Sequence, residues 1–164
     1  MDSDARGREV RLVDVPVALY RETQQHTDSV LRELVLMAGY EVSHDTAGPM
    51  RGLFQRANDG FADRLDLTVR ATPAVDAAHE RGDAYVTLTL TLPERYAASV
   101  QLWARLVEEL DAYCQDGTML CVPASDEVKA FAQWWCAELT RQLRTVGAPT
   151  PWRDYVATTG SFVA

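Results

Sequence analysis

The sequence has few of the motifs and residue types by which catalytic and cofactor sites are recognised. Its nine glycines are scattered along 164 residues, and neither GxGxxG nor GxxxxGKS/T occurs, which excludes the usual phosphate-binding loops. The patterns GxSxG, HExxH and DxDxDG are absent as well. The sequence therefore predicts no catalytic residue, no cofactor and no metal ion, and it favours a protein that is not an enzyme.

Cysteine is also scarce. The sequence has three cysteines, Cys114, Cys121 and Cys136, which are 7 and 15 residues apart and form no CxxC pair. Zinc ligands usually come in pairs separated by two to four residues, so this spacing disfavours a metal site. All three lie among apolar neighbours, and we expect them to be reduced and to pack as small hydrophobic residues.

Positive charge and long apolar runs are lacking too. The chain has 24 acidic and 16 basic residues, a formal net charge of -8, and a field of that sign repels phosphate backbones and anionic lipid. No run approaches the roughly 18 apolar residues needed to span a bilayer. The first residues, MDSDAR, lack the basic and apolar parts of a signal peptide. We therefore expect a cytoplasmic protein with no nucleic-acid or membrane partner.

What is present is the patterning of a folded domain that combines helices and strands. Apolar residues at helical spacing alternate with short runs rich in β-branched residues, and glycine or proline separates many of these segments. The pattern predicts long helices over residues 17–38, 93–114 and 125–146, shorter helices between residues 50 and 81, and strands over residues 9–15, 85–92 and 118–122.

The resulting order, β-α-α-α-β-α-β-α, predicts a helix-rich α+β fold with a small three-stranded sheet and long helices packed on it. We assign residues 1–147 to a single globular domain. Residues 148–164 begin with two closely spaced prolines, and we expect an irregular C-terminal tail there.

The clearest element is the segment YVTLTLTL at residues 85–92. Its valine and leucines alternate with a tyrosine and three threonines, which is the period-two pattern of a strand. Because only one of its two faces is apolar, the sheet should be covered on one side and exposed on the other.

The histidines do not indicate a catalytic site. We interpret His26 as a helix residue at the edge of the solvent, His44 as a loop residue, and His79 as a residue at a helix end, where a cation is favourable. No nucleophile or orienting side chain is identifiable beside any of them.

The tryptophans are the more informative residues. Trp134 and Trp135 are adjacent in a predicted helix, so their side chains diverge by about 100°. One of them should belong to the core, while the other either contacts the middle third of the chain or forms part of an exposed aromatic patch. Trp152 and Arg153 follow Pro151 and form a second interface candidate, unless Trp152 folds back onto its own domain.

Two groups of segments carry a resemblance to a known group of proteins. They comprise residues 10–17 (VRLVDVPV), 23–28 (TQQHTD) and 31–33 (LRE), and then residues 112–114, 118–120, 131, 134–135 and 151–152. Together they resemble small, largely uncharacterised actinobacterial proteins associated with ATP-binding anti-sigma-factor kinases and STAS-type antagonists. The resemblance implies a regulatory protein of a partner-switching, stress-response pathway, and it carries no catalytic residues with it.

We therefore expect a non-enzymatic cytosolic regulatory protein that acts by binding a protein partner. Trp134, Trp152 and Arg153 form its candidate partner-binding surface. His26 and Arg32, which lie within the resembling segments, are further candidates.

Two alternatives remain open at this stage. The same surface could serve a homodimer instead of a second protein. The chain could also be a small-ligand sensor or an enzyme with a pocket between the sheet and the middle helices, in which His44, Arg51 and Arg56 would supply polar groups.

Overall fold

The computed structural model describes residues 7–44, 48–145 and 147–159, which form two strands and six helices. In chain order these are β1 (Arg8–Pro16), α1 (Val17–Ser43), α2 (Met50–Asp59), α3 (Phe61–Glu80), β2 (Tyr85–Leu92), α4 (Tyr96–Gln115), α5 (Asp126–Arg144) and α6 (Trp152–Thr159). The predicted helix-rich α+β fold is confirmed. None of the described helices is long and apolar enough to cross a membrane.

The two strands pair antiparallel, and a β-bulge interrupts their register. Leu12 lies opposite Leu88 and Val15 lies opposite Val86, so β1 has an extra residue between these pairs. Asp14, inside this interruption, has a positive φ of 58°, a conformation that short polar side chains tolerate better than most. The bulge lets both Leu12 and Val15 point into the core, although their spacing in the sequence is odd.

Strand β2 follows the predicted alternation. Leu88, Leu90 and Leu92 are buried, whereas Tyr85 and the threonines between the leucines are exposed. One face of the sheet therefore packs on helices, as the period-two pattern indicates.

The predicted third strand is wrong, because residues 118–122 form no strand and pair with neither β1 nor β2. The backbone N–H groups of Leu120 and Cys121 instead donate hydrogen bonds to the carboxylate of Glu33 on α1. Leu120 is 92% exposed and Val122 80% exposed, so of the apolar residues in this run only Met119 is fully buried. Cys121 is joined to Cys114 of α4 by a disulfide, and the expectation of three reduced cysteines is therefore wrong as well.

Two helices continue through residues that the sequence suggested as boundaries. Helix α1 passes the exposed Gly39 and ends at Ser43, because one glycine costs a long helix only about 1 kcal/mol. Helix α3 contains Pro73, so the middle third holds one long helix there instead of two short segments.

The end of the described chain is helical. Residues 152–159 form α6, which begins directly after Pro151, where a proline is compatible with a helix start. The carbonyl of Pro151 accepts hydrogen bonds from the N–H groups of Asp154 and Tyr155. The prediction of an irregular tail over residues 148–164 is wrong for this helix, and residues 160–164 lie outside the described part of the chain.

The buried side chains form two separate clusters. The sheet cluster combines the inner faces of β1 and β2 with the start of α1, residues of α3, the start of α4, α5 and Trp152. The α2 cluster combines α2 with α1 from Val30 onward, α4 from Trp103 onward and Met119. Helices α1 and α4 contribute to both clusters and thereby join the two halves of the molecule.

A close backbone approach fixes the junction of α2 and α3 against α4. The indole Nε1 of Trp103 donates a hydrogen bond of 2.9 Å to the carbonyl oxygen of Gly60. A Cβ atom at Gly60 would lie 2.6 Å from that nitrogen and 3.1 Å from Cδ1 of the same ring. The junction therefore requires a glycine for steric reasons.

We predict that Gly60→Ala lowers the free energy of unfolding by about 1–3 kcal/mol, because the added methyl group overpacks this contact. Gly52→Ala in α2 is the matched control. A Cβ there meets nothing within 4 Å, and an alanine inside a helix should raise stability by about 0.5–1 kcal/mol. Urea denaturation followed by tryptophan fluorescence gives both values. Midpoints that move in the same direction for both variants would contradict the steric explanation.

Candidate functional site

A cavity of about 290 Å³ lies between α1, α3, α4 and α5. Its apolar walls include Leu67, Val100 and Phe131 of the sheet cluster and Trp103 of the α2 cluster. The cavity therefore lies at the boundary between the two clusters, where neither closes completely against the other.

Small side chains on two facing helices contribute to the open space. Ala104 of α4 and Ala132 of α5 both line the cavity. They are flanked by much larger residues, Trp103 on one helix and Phe131 on the other. An alanine leaves a void wherever the helices on either side are held apart by larger neighbours.

One end of the cavity is polar and is built around the buried carboxylate of Asp111 on α4. Its Oδ1 accepts a hydrogen bond of 2.7 Å from the backbone N–H of Ala124. Its Oδ2 accepts one of 2.6 Å from the Gln115 amide and lies 3.1 Å from Nζ of Lys129. Burial alone would raise the pKa of Asp111, but these partners together hold the pKa below its usual value.

His26 of α1 also lines the cavity and is half-buried, as a helix residue between the interior and the solvent. Burial lowers the pKa of its imidazole, and the charge of Lys129 acts in the same direction. The carboxylates of Asp111 and Glu22 oppose this shift without reversing it. The neighbouring hydroxyls of Thr23 and Thr27 are occupied by backbone carbonyls of their own helix. The imidazole is therefore a mainly neutral polar group at neutral pH.

Arg64 of α3 lies where the cavity meets a second, outer depression. This α1/α3 groove is lined largely by Leu31, Val35, Leu36, Phe61 and Leu65 and has a volume of about 890 Å³. Arg64 lines both spaces, together with Tyr20, Gln24 and Thr68. These four residues form the boundary between the cavity and the groove.

The cavity also contains a thiol, that of Cys136 on α5. Burial, with a smaller effect of the Glu108 carboxylate, raises the pKa of this thiol to about 12. A thiol with that pKa is protonated at neutral pH and is a poor nucleophile. Among the described residues no three histidine, cysteine or acidic side chains are grouped so as to hold a metal ion. The Cys136 thiol therefore lacks the activation that a covalent nucleophile requires.

The predicted aromatic patch is absent from the surface. Trp134 is 1% exposed, and its Nε1 donates a hydrogen bond of 3.0 Å to the carbonyl of Thr150. Trp152 is 8% exposed, and its ring lies 5.7 Å from that of Phe131 and 5.5 Å from that of Trp134. The prediction that these two tryptophans form an exposed binding surface is wrong, because they anchor α6 and the segment before it to α5.

The remaining candidates lie apart from one another. Arg153 is exposed, with its guanidinium 4.1 Å from the centre of the Tyr85 ring and 3.8 Å from a carboxylate oxygen of Asp14. Arg32 is exposed and lines the α1/α3 groove, whereas His26 lines the cavity. No single surface therefore combines Arg153 with His26 and Arg32.

The polar groups proposed for the alternative pocket do not converge either. His44 stacks on Tyr40, with 4.0 Å between the ring centres. Arg51 donates a hydrogen bond to the backbone carbonyl of Glu41. Arg56 forms an ion pair of 2.8 Å with Glu109. All three lie away from the cavity, which is enclosed by helices of which only α3 belongs to the middle third.

No motif in the sequence indicates Arg64, Asp111 or Ala132 as site residues. Of these three residues, Asp111 is the one that the sequence could most easily have indicated, because it is an acidic residue within the apolar stripe of α4, directly after Leu110. Ionisable residues are rarely buried unless they are paired. That position alone could have indicated a polar interior.

We predict that His26 makes the stability of the fold depend on pH below its reference pKa of 6.5. Because the folded state binds the proton less well than the unfolded state, the free energy of unfolding should fall as the pH drops through this region. His26→Gln removes the titrating group and should flatten the curve below pH 6.5. Urea denaturation at several pH values measures the slopes.

The matched control is His79→Gln, at an exposed position near the end of α3. It should leave in place the fall in stability below pH 6.5, which His26→Gln should remove. If the free energy of unfolding depends on pH in the same way for the unaltered chain and for His26→Gln, the burial of His26 does not affect its protonation.

The chain was also compared with known proteins. It matches no family model, no curated protein and no solved structure.

Proposed function

We propose that the chain is a non-enzymatic binding protein that takes up a small amphipathic molecule in the cavity between α1, α3, α4 and α5. The observation that carries this proposal is an apolar cavity with polar groups at defined places along its wall. Clefts of this composition, between the helices of a bundle, are the usual sites of small-molecule binding.

The size and lining of the cavity restrict the ligand. Its volume of about 290 Å³ is at the lower end of the range found for small-molecule sites, about 300–1,000 Å³. Trp103, Trp135 and Phe131 offer aromatic surfaces, while His26 and Lys129 offer polar contacts. A compact apolar body with one polar group fits this lining better than a sugar or a nucleotide.

Filling the cavity tests this proposal. We predict that Ala132→Phe weakens the binding of 1-aminoanthracene, a compact aromatic fluorescent probe, at least about tenfold, because the new side chain occupies the space of the ligand. Energy transfer from tryptophan to the probe provides the signal, since Trp103 and Trp135 line the cavity.

The matched control is Ala137→Phe, an exposed position on the same helix that should leave the affinity unchanged. Circular dichroism establishes that both variants are folded. Equal binding to both variants, or no binding to the unaltered chain, would contradict a ligand site in this cavity.

A second candidate function is self-association through the α1/α3 groove. Leu36 is 74% exposed, and Val35 and Leu65 are exposed beside it, so the groove presents an apolar surface of the kind that interfaces cover. Its rim carries both signs of charge, with Arg21 and Arg32 near Asp28 and Asp76. Such a mixture can be self-complementary across a two-fold axis, which favours a second copy of the chain as the partner.

We predict that Leu36→Glu dissociates a dimer formed through the groove, because the substitution buries an unpaired charge in the interface. Light scattering during size-exclusion chromatography should show twice the 18.3 kDa of the chain for the native protein and the monomer mass for Leu36→Glu. Leu120→Glu, at a 92% exposed position outside the groove, is the control. A native chain that is monomeric at high concentration would exclude this second function.

The regulatory context is proposed on other grounds. A link to anti-sigma partner switching has its support in the sequence resemblance alone. A cytosolic location stays a prediction, and the disulfide between Cys114 and Cys121 removes one argument for it, because disulfides are rare in reducing compartments.

A further inference from the structure

Arg64 lies at the wall of the cavity and has few polar partners for an arginine. Its side chain is 16% exposed, and among the described residues its guanidinium has one carboxylate partner, Asp28, at 3.4 Å. Charge-assisted hydrogen bonds of this kind are normally about 2.7–2.9 Å long. An arginine has five N–H donors, so most of the binding capacity of this group is not used by the described protein.

The orientation of the guanidinium is nevertheless fixed. It lies over the ring of Trp103, with its central carbon 5.2 Å from the ring centre. Trp103 is itself held by its hydrogen bond to the Gly60 carbonyl. A planar fork of donors that is oriented before the ligand arrives matches the two oxygens of a carboxylate.

The other cation of the cavity lining, Lys129, is paired more closely, with its Nζ 3.1 Å from a carboxylate oxygen of Asp111. Asp111 is paired with Lys129 and accepts hydrogen bonds from Ala124 and Gln115. Asp63, which precedes Arg64, accepts a hydrogen bond from the hydroxyl of Ser99. Arg64 is thus the cation of the cavity wall whose charge is matched least closely.

From these contacts we infer that Arg64 is the recognition residue for the ligand and that the ligand bears a carboxylate on an apolar body. The carboxylate replaces the long contact with Asp28 at the boundary between cavity and groove. The apolar body extends between Leu67, Trp103 and Phe131. This inference rests on the proposed binding function and specifies the chemical class of its ligand.

The test compares three molecules that share one chain and differ in the head group, namely decanoate, decan-1-ol and decylammonium, each below its critical micelle concentration. Affinities are measured by displacement of 1-aminoanthracene. The unaltered chain should bind decanoate about 10- to 100-fold more tightly than the alcohol, because a charge-assisted bidentate pair forms in a largely desolvated place. Decylammonium should bind the most weakly.

The variant Arg64→Gln should lose this discrimination while it retains the affinity for decan-1-ol. Arg64→Lys keeps the charge without the planar fork and should retain only part of the discrimination. Arg56→Gln, which removes an exposed arginine outside the cavity, is the control and should behave as the unaltered chain does. A merely structural role of Arg64 would alter the affinities for decanoate and decan-1-ol alike.

The outcomes separate the two proposals. Equal binding of the three molecules, a preference for the ammonium, or discrimination that survives in a folded Arg64→Gln variant overturns the role of Arg64 and leaves the cavity proposal standing. If the unaltered chain binds neither the probe nor any of the three molecules, both proposals fall. If Arg64→Gln does not fold, the discrimination between decanoate and decan-1-ol by Arg64→Lys is compared with that by the unaltered chain. Discrimination that is unchanged in Arg64→Lys overturns the role of Arg64.

Discussion

The hydrogen bond from Trp103 to the carbonyl of Gly60 is the contact on which the arrangement of the site depends. It attaches the junction of α2 and α3 to α4 across 43 residues of sequence. The same indole ring supports the guanidinium of Arg64 and forms part of the cavity wall. Because the donor is buried, losing its acceptor would leave an unsatisfied polar group, which costs about 1–3 kcal/mol. The contact therefore constrains the position of α3 and, through α3, the mouth of the cavity.

The cavity remains between the two clusters because different elements complete the packing of each cluster. The sheet cluster is completed by β1, β2 and the ring contacts among Phe131, Trp134 and Trp152. The α2 cluster is completed by α2 and by Met119, in a loop that Glu33 and the disulfide hold in place. Helices α1 and α4 are long and continuous through both, so neither cluster can shift toward the other without bending them. An amphipathic occupant of the cavity would stabilise the fold by binding it.

Local patterns in the sequence were sufficient to predict elements whose partners lie nearby. The alternation of β2 and the start of α5, where the Val128 N–H bonds to the hydroxyl of Ser125, follow from short-range rules. The segment at residues 118–122 was misread because its hydrogen-bond acceptor is Glu33, 87 residues from Leu120. The cavity could not be predicted for the same reason, since four helices of the assembled fold define it. The sequence around Trp134 and Trp152 does not show whether the two side chains are exposed or packed on each other. They are packed on each other because α6 folds back onto α5.

The cavity and the groove share part of their walls. Tyr20, Gln24, Arg64 and Thr68 face both spaces, so an occupant of one space contacts side chains that also shape the other. A ligand carboxylate that takes Arg64 away from Asp28 would leave that aspartate, on the rim of the groove, with an uncompensated negative charge. A second copy seated on the groove would then meet a rim whose balance of charge has changed. If the ligand and the second copy bind as proposed, both act on the contact between Arg64 and Asp28, so the two sites would be coupled thermodynamically and the effect of each on the other would be equal in size.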